Sequence, residues 1–159
     1  MFRRASRPEP APSDWVRPEQ FLFPPWRGSG VYCDAFGLPA GKYEVWGSGR
    51  REGDLVVIDF DTLLDVGVAN HLEWEFAPGD AAEFRLRDRV SGQQATGALT
   101  PDGFGWDWKL LHKTALGLRR CQVASRFELT GPNTAITHTT LSLLGVAVGS
   151  SSSHIRHLG

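Results

Sequence analysis

Sulfur is scarce in this chain: its 159 residues include two cysteines, Cys33 and Cys121, and one methionine. A lone pair of cysteines outside C-x-x-C spacing supplies neither a disulfide framework nor a zinc signature, so free thiols in a reducing compartment are expected. Lysine is nearly as rare, occurring only at Lys42, Lys109 and Lys113, which leaves arginine with most of the positive charge. Neither sign of charge dominates. With 17 Lys+Arg against 18 Asp+Glu the formal net charge is −1, so no global field draws the chain to nucleic acid or to an anionic membrane. No apolar run reaches the roughly 18 residues of a membrane helix. The basic start at Arg3, Arg4 and Arg7 leads into Pro8, Pro10 and Pro12 rather than into the apolar segment of a secretion signal. These absences predict a cytoplasmic protein without a nucleic-acid or membrane partner.

Proline and alternation are what the chain has. Six of the ten prolines fall within the first 25 residues, which denies that stretch regular hydrogen-bonded structure. An extended Pro-rich arm over residues 1–20, ahead of one domain over 21–159, is the expected organisation. Trp15, Phe21, Leu22, Phe23 and Trp26 are apolar enough to dock the arm as a plug or lid, and disorder up to Asp14 is equally open.

From Trp26 onward the apolar pattern has period two, broken by Gly, Asp and Pro turns, which is the mark of antiparallel sheet. Lys42 to Arg50 and Leu55 to Thr62 flank Arg51-Glu52-Gly53-Asp54 as a hairpin. Asn70 to Phe76 sets Leu72, Trp74 and Phe76 against His71, Glu73 and Glu75, and turns at Ala77-Pro78-Gly79-Asp80. Glu83 to Val90, Gln94 to Leu99 and Phe104 to Leu110 follow; then Gln122 to Thr130, Thr134 to Leu143 and Val146 to His157. Leu110 to Arg120 reads as strand end plus loop, with a short helix as the competing assignment. About eight to ten short strands with sequential hairpins predict an all-β, antiparallel up-and-down barrel, because closure removes exposed edges. A two-sheet sandwich is the competitor.

Trp26-Arg27-Gly28-Ser29-Gly30 followed by Asp34-Ala35-Phe36-Gly37 resembles the G-x-G, then D-x-F-G opening of a bacterial family of lipocalin-like (calycin) proteins. Asn133-Thr134-Ala135 and Leu144-Gly145-Val146-Ala147-Val148-Gly149 are similar to that family's closing strands. The resemblance spans Phe21 to Leu158 and implies a lipocalin-like barrel without an established activity.

The aromatic row Phe104, Trp106 and Trp108, joined by Trp46 and Trp74 from other strands, is the best candidate lining for a hydrophobic cup; as plain core filling it would need no ligand. Arg85, Arg87, Arg89, Arg126 and Arg156 could clamp an acidic head group if they face inward, although a row such as Arg85, Arg87 and Arg89 also suits a solvated face. His138, His154 and His157 invite a haem or metal reading, yet His154 and His157 face opposite sides of a strand and no carboxylate completes a zinc set. The expected ligand-binding residues are therefore Trp46, Trp74, Arg85, Phe104, Trp106, Trp108, Arg126 and His138, with no metal and no cofactor.

No G-x-S-x-G elbow, H-E-x-x-H helix or Walker loop is present. The leading reading is a carrier or sensor for a small hydrophobic or acidic molecule. One alternative is a small barrel enzyme of isomerase or cyclase type, which requires a lumen-facing ionisable pair among Asp34, Tyr43, Asp59 and Glu73. The other is an interaction module forming a homodimer through an aromatic outer face.

Overall fold

A computed structural model describes residues 14–77, 82–114 and 117–159. The turn read at Pro78 to Asp80 and the first thirteen residues of the arm lie outside the described residues. One helical turn, α1 (Pro18–Phe21), precedes ten strands: β1 (Trp26–Cys33), β2 (Pro39–Glu52), β3 (Leu55–Leu64), β4 (Ala69–Ala77), β5 (Glu83–Asp88), β6 (Gln94–Thr100), β7 (Gly103–Thr114), β8 (Gly117–Gly131), β9 (Thr134–Leu143) and β10 (Val146–His157). Every strand pairs antiparallel with its chain neighbours, and β1 meets β10 from Trp26↔His157 to Cys33↔Ser150, so the sheet closes on itself as an up-and-down barrel.

Alternation decides which side chain faces where. Val56, Ile58 and Phe60 of β3, Phe76 of β4, Phe84 and Leu86 of β5, Ala95 and Leu99 of β6, and Phe104, Trp106 and Trp108 of β7 are all buried in one core. Residues of opposite parity, such as His71, Arg85, Arg87, Asp107 and Lys109, are exposed. A charged outside and an apolar inside is the reverse of a membrane-spanning barrel, and no helix among the described residues is long and apolar enough to cross a membrane.

The G-x-G of β1 has a steric reason: a Cβ on Gly28 would lie 2.5 Å from Cγ2 of Ile155, and one on Gly30 would collide with the carbonyl oxygen of Ser152. Those glycines let β10 approach closely enough to seal the barrel. The stretch from Leu110 to Arg120 departs from the strand-end-plus-loop expectation. Pairing runs without a break from Lys109↔Gln122 to Thr114↔Gly117, because continued ladder bonds satisfy backbone groups that a loop would leave to water.

One end of the barrel is stoppered. Pro18 starts α1 at a position where its missing N–H costs nothing, and Phe21 and Leu22 then enter the core. Trp26 Nε1 donates to the carbonyl of Leu22 at 3.1 Å, and His157 Nε2 lies 2.7 Å from the carbonyl of Phe21 while its ring packs tilted against Phe21 at 4.7 Å. The β9–β10 turn at the other end carries Leu144 at φ 52 beside Gly145 at φ 80, a left-handed conformation that a leucine adopts only under strain.

Two variants test these roles by urea unfolding. Leu22→Ala should lose about 2–5 kcal/mol, as expected for a core leucine; a loss under about 0.5 kcal/mol would show that the stopper is not part of the core. Leu144→Asn, which tolerates the left-handed region, should gain about 0.5–1 kcal/mol.

Candidate functional site

Above the stopper, rings fill half of the barrel. Trp106 is at its centre, 5.0 Å edge-on to Trp74, 5.3 Å stacked on Phe127 and 6.0 Å edge-on to Phe84, with Phe104 stacked on Phe127 at 4.8 Å. Such offset and edge contacts pack densely and leave this half solid. The Trp106 indole N–H has no hydrogen-bond partner there.

The other half holds a cavity of about 450 Å³. One wall is aromatic, made of Trp26, Phe60, Trp74, Trp108 and Phe127, with Val45, Leu64, Leu72 and Val123 between the rings. The facing wall is made of hydroxyls: Ser125 on β8, Thr137 and Thr139 on β9, and Ser151 and Ser153 on β10. Thr137 and Ser153 share a hydrogen bond of 2.5 Å, and Ser125 and Thr139 one of 3.5 Å. Each hydroxyl therefore keeps capacity for a further partner. Tyr32 and Tyr43 stand nearest the open end; Tyr32 donates to Asp65 Oδ1 at 3.1 Å, and burial together with Asp65 raises its phenol above the ordinary value. Asp88 is the one charged residue among the described lining, and it is occupied by its own turn, accepting from the Val90 amide at 2.9 Å and the Ser91 hydroxyl at 3.0 Å.

Of the expected binding residues, Trp74 and Trp108 line this cavity. Phe104 and Trp106 lie in the solid half. Trp46, at 38% exposure the most open of the six tryptophans, is on the outer wall, as is Arg85. Arg126 and His138 are cross-strand partners outside the barrel, where they line a shallow groove of about 490 Å³ with Asp107 and Glu128; Arg126 donates to the carbonyls of Trp106 and Ser125. Alternation identified faces but not depth. The hydroxyl wall was missed because serine and threonine carry no apolar signal, and it is buried Ile155 and Ala135 that fix the inward parity of Ser151, Ser153, Thr137 and Thr139.

The four groups needed for acid–base chemistry do not converge. Tyr43 faces the cavity, Asp34 caps the β1–β2 turn, and Asp59 and Glu73 are on the outer wall. There they join an ionic lattice over the fully buried Val57. Arg50 holds Glu52, Asp59 and Glu73, and Arg89 holds Glu52 at 2.5 Å and Glu75 at 2.8 Å. The Arg89 and Arg50 guanidinium groups pull Glu52 below the usual carboxylate range, and the Glu52 and Glu75 carboxylates lift Arg89 above its own. Asp59, His71 and Glu73 bring ligand atoms within 4.8 Å of one another, but Arg50 already supplies the cation to both carboxylates.

No family model and no curated protein matches the sequence. Among solved structures, an S-type phycobiliprotein lyase, CPES, from Guillardia theta superposes with a TM-score of 0.68 at 8% identity, covering 89% of this chain and 90% of that one. That likeness shows the fold, a lipocalin-like barrel. An acyl-CoA thioesterase II, TesB2, from Mycobacterium marinum covers 90% of this chain at 11% identity with a TM-score of 0.25, too low to bear on the fold.

His71 makes the lattice pH-sensitive. Its hydrogen bond of 2.9 Å to Asp61, with Glu73 nearby, raises its pKa above 6.5. A raised folded value means the stabilisation is complete below that ordinary value and disappears as pH rises through the folded one. The urea midpoint of the native chain should therefore fall as pH rises above 6.5, and His71→Gln should flatten that slope. An identical slope in both proteins would refute the assignment.

Proposed function

We propose that this protein is a binding barrel for a small, uncharged, mostly apolar molecule. The observation that carries this reading is the two-faced cavity, in which aromatic rings oppose a row of hydroxyls and no cation stands among the described lining residues. A flat ring system with a carbonyl or hydroxyl along one edge would stack on Trp74 and Trp108 and meet Thr137, Thr139 or Ser151 with the other edge. A carboxylate would be desolvated without a partner, a cost of several kcal/mol for an isolated charge. The acidic ligand suggested by the arginines loses its support with Arg85 and Arg126 outside. A barrel of this fold is also the architecture of the phycobiliprotein lyase, and kinship with the bacterial calycin family belongs to the same reading, supported by the steric need for Gly28 and Gly30.

The enzyme reading lacks a converging acid–base pair, and the outer aromatic face reduces to Trp46; neither has an observation in its favour equal to the cavity.

Titration with N-phenyl-1-naphthylamine, an uncharged aromatic probe, should quench tryptophan emission and enhance probe fluorescence. Dodecanol should displace the probe at a concentration at least about tenfold below that needed with dodecanoate, the charged analogue of equal length. Trp108→Ala should weaken the probe by about tenfold, one lost aromatic contact, while Trp46→Ala leaves it unchanged. No probe response, or a preference for dodecanoate, would overturn the proposal.

A further inference from the structure

The two ends of the barrel differ in chemistry. Turns at the stoppered end are polar, Glu52-Gly53-Asp54, Pro101-Asp102 and Gly131-Pro132-Asn133. Turns at the open end present apolar tips. Of the twelve large apolar side chains that are more than a third exposed among the described residues, nine lie at this rim, so the exposure is concentrated rather than scattered. Phe36 and Leu38 project from the β1–β2 turn, Val66 and Val68 from β3–β4, and Leu144 and Val146 from β9–β10; these three turns are consecutive around the barrel. Phe36 is 89% exposed and Leu144 83%.

These tips are braced. Asp34 Oδ1 accepts from the amides of Phe36 and Leu38 at 2.9 and 3.0 Å. Asp65 accepts from the Lys42 amide at 2.9 Å and from Tyr32. Asp34 is thus turned back onto its own turn and Asp65 onto the neighbouring β1 and β2. Leu144 keeps a leucine where a left-handed backbone favours asparagine or glycine, which places an apolar group outward at a conformational cost.

Beside the β9–β10 tip, the β7–β8 hairpin ends at the same rim. Its terminal part exposes Lys109 and Arg120, and no acidic residue occurs in the sequence between Asp107 and Glu128. The near-neutral total hides this local excess.

We propose that the open rim docks on an anionic lipid surface, with the apolar tips entering the interface and the basic hairpin meeting the head groups. Separated apolar fingers suit a fluid, deformable partner, and cationic residues beside them suit a negative surface. A second copy is a poorer partner, because the described rim acids Asp34, Asp65 and Asp88 are already engaged by backbone amides. Docked in this way, the cavity opens toward the lipid, so an apolar molecule could enter or leave without crossing water.

The full chain should co-sediment with phosphatidylcholine vesicles containing 30% phosphatidylglycerol at roughly 50 mM salt and more weakly at roughly 500 mM, as screening requires. Pure phosphatidylcholine vesicles should hold it at least about tenfold less well. Phe36→Ser with Leu144→Asn, and separately Lys109→Glu with Arg120→Glu, should each lower binding by at least about tenfold. Arg85→Glu on the side wall should not, and tryptophan emission and circular dichroism report that every variant is folded. Absence of binding to anionic vesicles overturns the proposal, as does equal binding to neutral ones. Sensitivity to Arg85→Glu equal to that of the rim overturns it too, and so does a concentration-dependent dimer in light scattering that the Phe36/Leu144 variant abolishes. Probe uptake in the lumen is measured without vesicles, so ligand binding and lipid docking succeed or fail separately.

Discussion

Filling the lumen is the constraint on which this barrel depends. Eight strands enclose a space that ordinary side chains just fill, and ten enclose more. The chain answers with the largest side chains available. Trp106, Phe104, Phe127, Phe84, Phe76 and Trp74 interlock in one half, and Phe21 and Leu22 seal the end beneath them. Too few rings remain to fill the second half, which becomes a cavity. Solid floor and open cup are two results of one allocation of aromatic residues along the strands.

The outer wall obeys a different rule. Ion pairs at exposed positions contribute little singly, but Arg50 and Arg89 each bridge several carboxylates across β2, β3, β4 and the turn after β5, and Val57 is fully buried although it faces away from the lumen. The charges thereby act as a cover for apolar surface, using the aliphatic stems of arginine. Charge at the rim serves the turns instead: Asp34, Asp65 and Asp88 spend their oxygens on backbone amides.

Much of this was legible from the residues in order. Strict alternation in Asn70 to Phe76 and in Phe104 to Lys109, with Gly-Asp and Pro-Asp turns, leads to a closed antiparallel barrel starting at Trp26, because period two and turn chemistry are local properties. Which aromatic residues border empty space was not legible. Trp74, Trp106 and Trp108 have the same parity and hydropathy, and only their height along the barrel separates packing from lining. Trp46 was misleading because a large ring suggests burial, whereas parity with Glu44 sends it outward. The hydroxyl wall was invisible for the opposite reason, since Thr and Ser give no apolar signal and their inward direction follows from neighbours paired across β8, β9 and β10. Leu110 to Arg120 was read as strand end plus loop because Leu110, Leu111, Thr114 and Leu118 also suit one side of a short helix, while the ladder with its partner strand decides the outcome.

The seam between β1 and β10 has a consequence for the order in which this molecule comes into being. Hydrogen bonds from Trp26↔His157 to Cys33↔Ser150 join segments separated by almost the whole described chain, and Ser151 and Ser153 contribute to the cup from that seam. Hairpins from β2 to β9 can assemble as they emerge from the ribosome, but the circle is incomplete until β10 pairs with β1. A nascent chain therefore exposes an unpaired edge at β1 and owns no cup at all. The cup proposed to hold a ligand is therefore completed last, and every late-forming contact of high sequence separation slows that closing step.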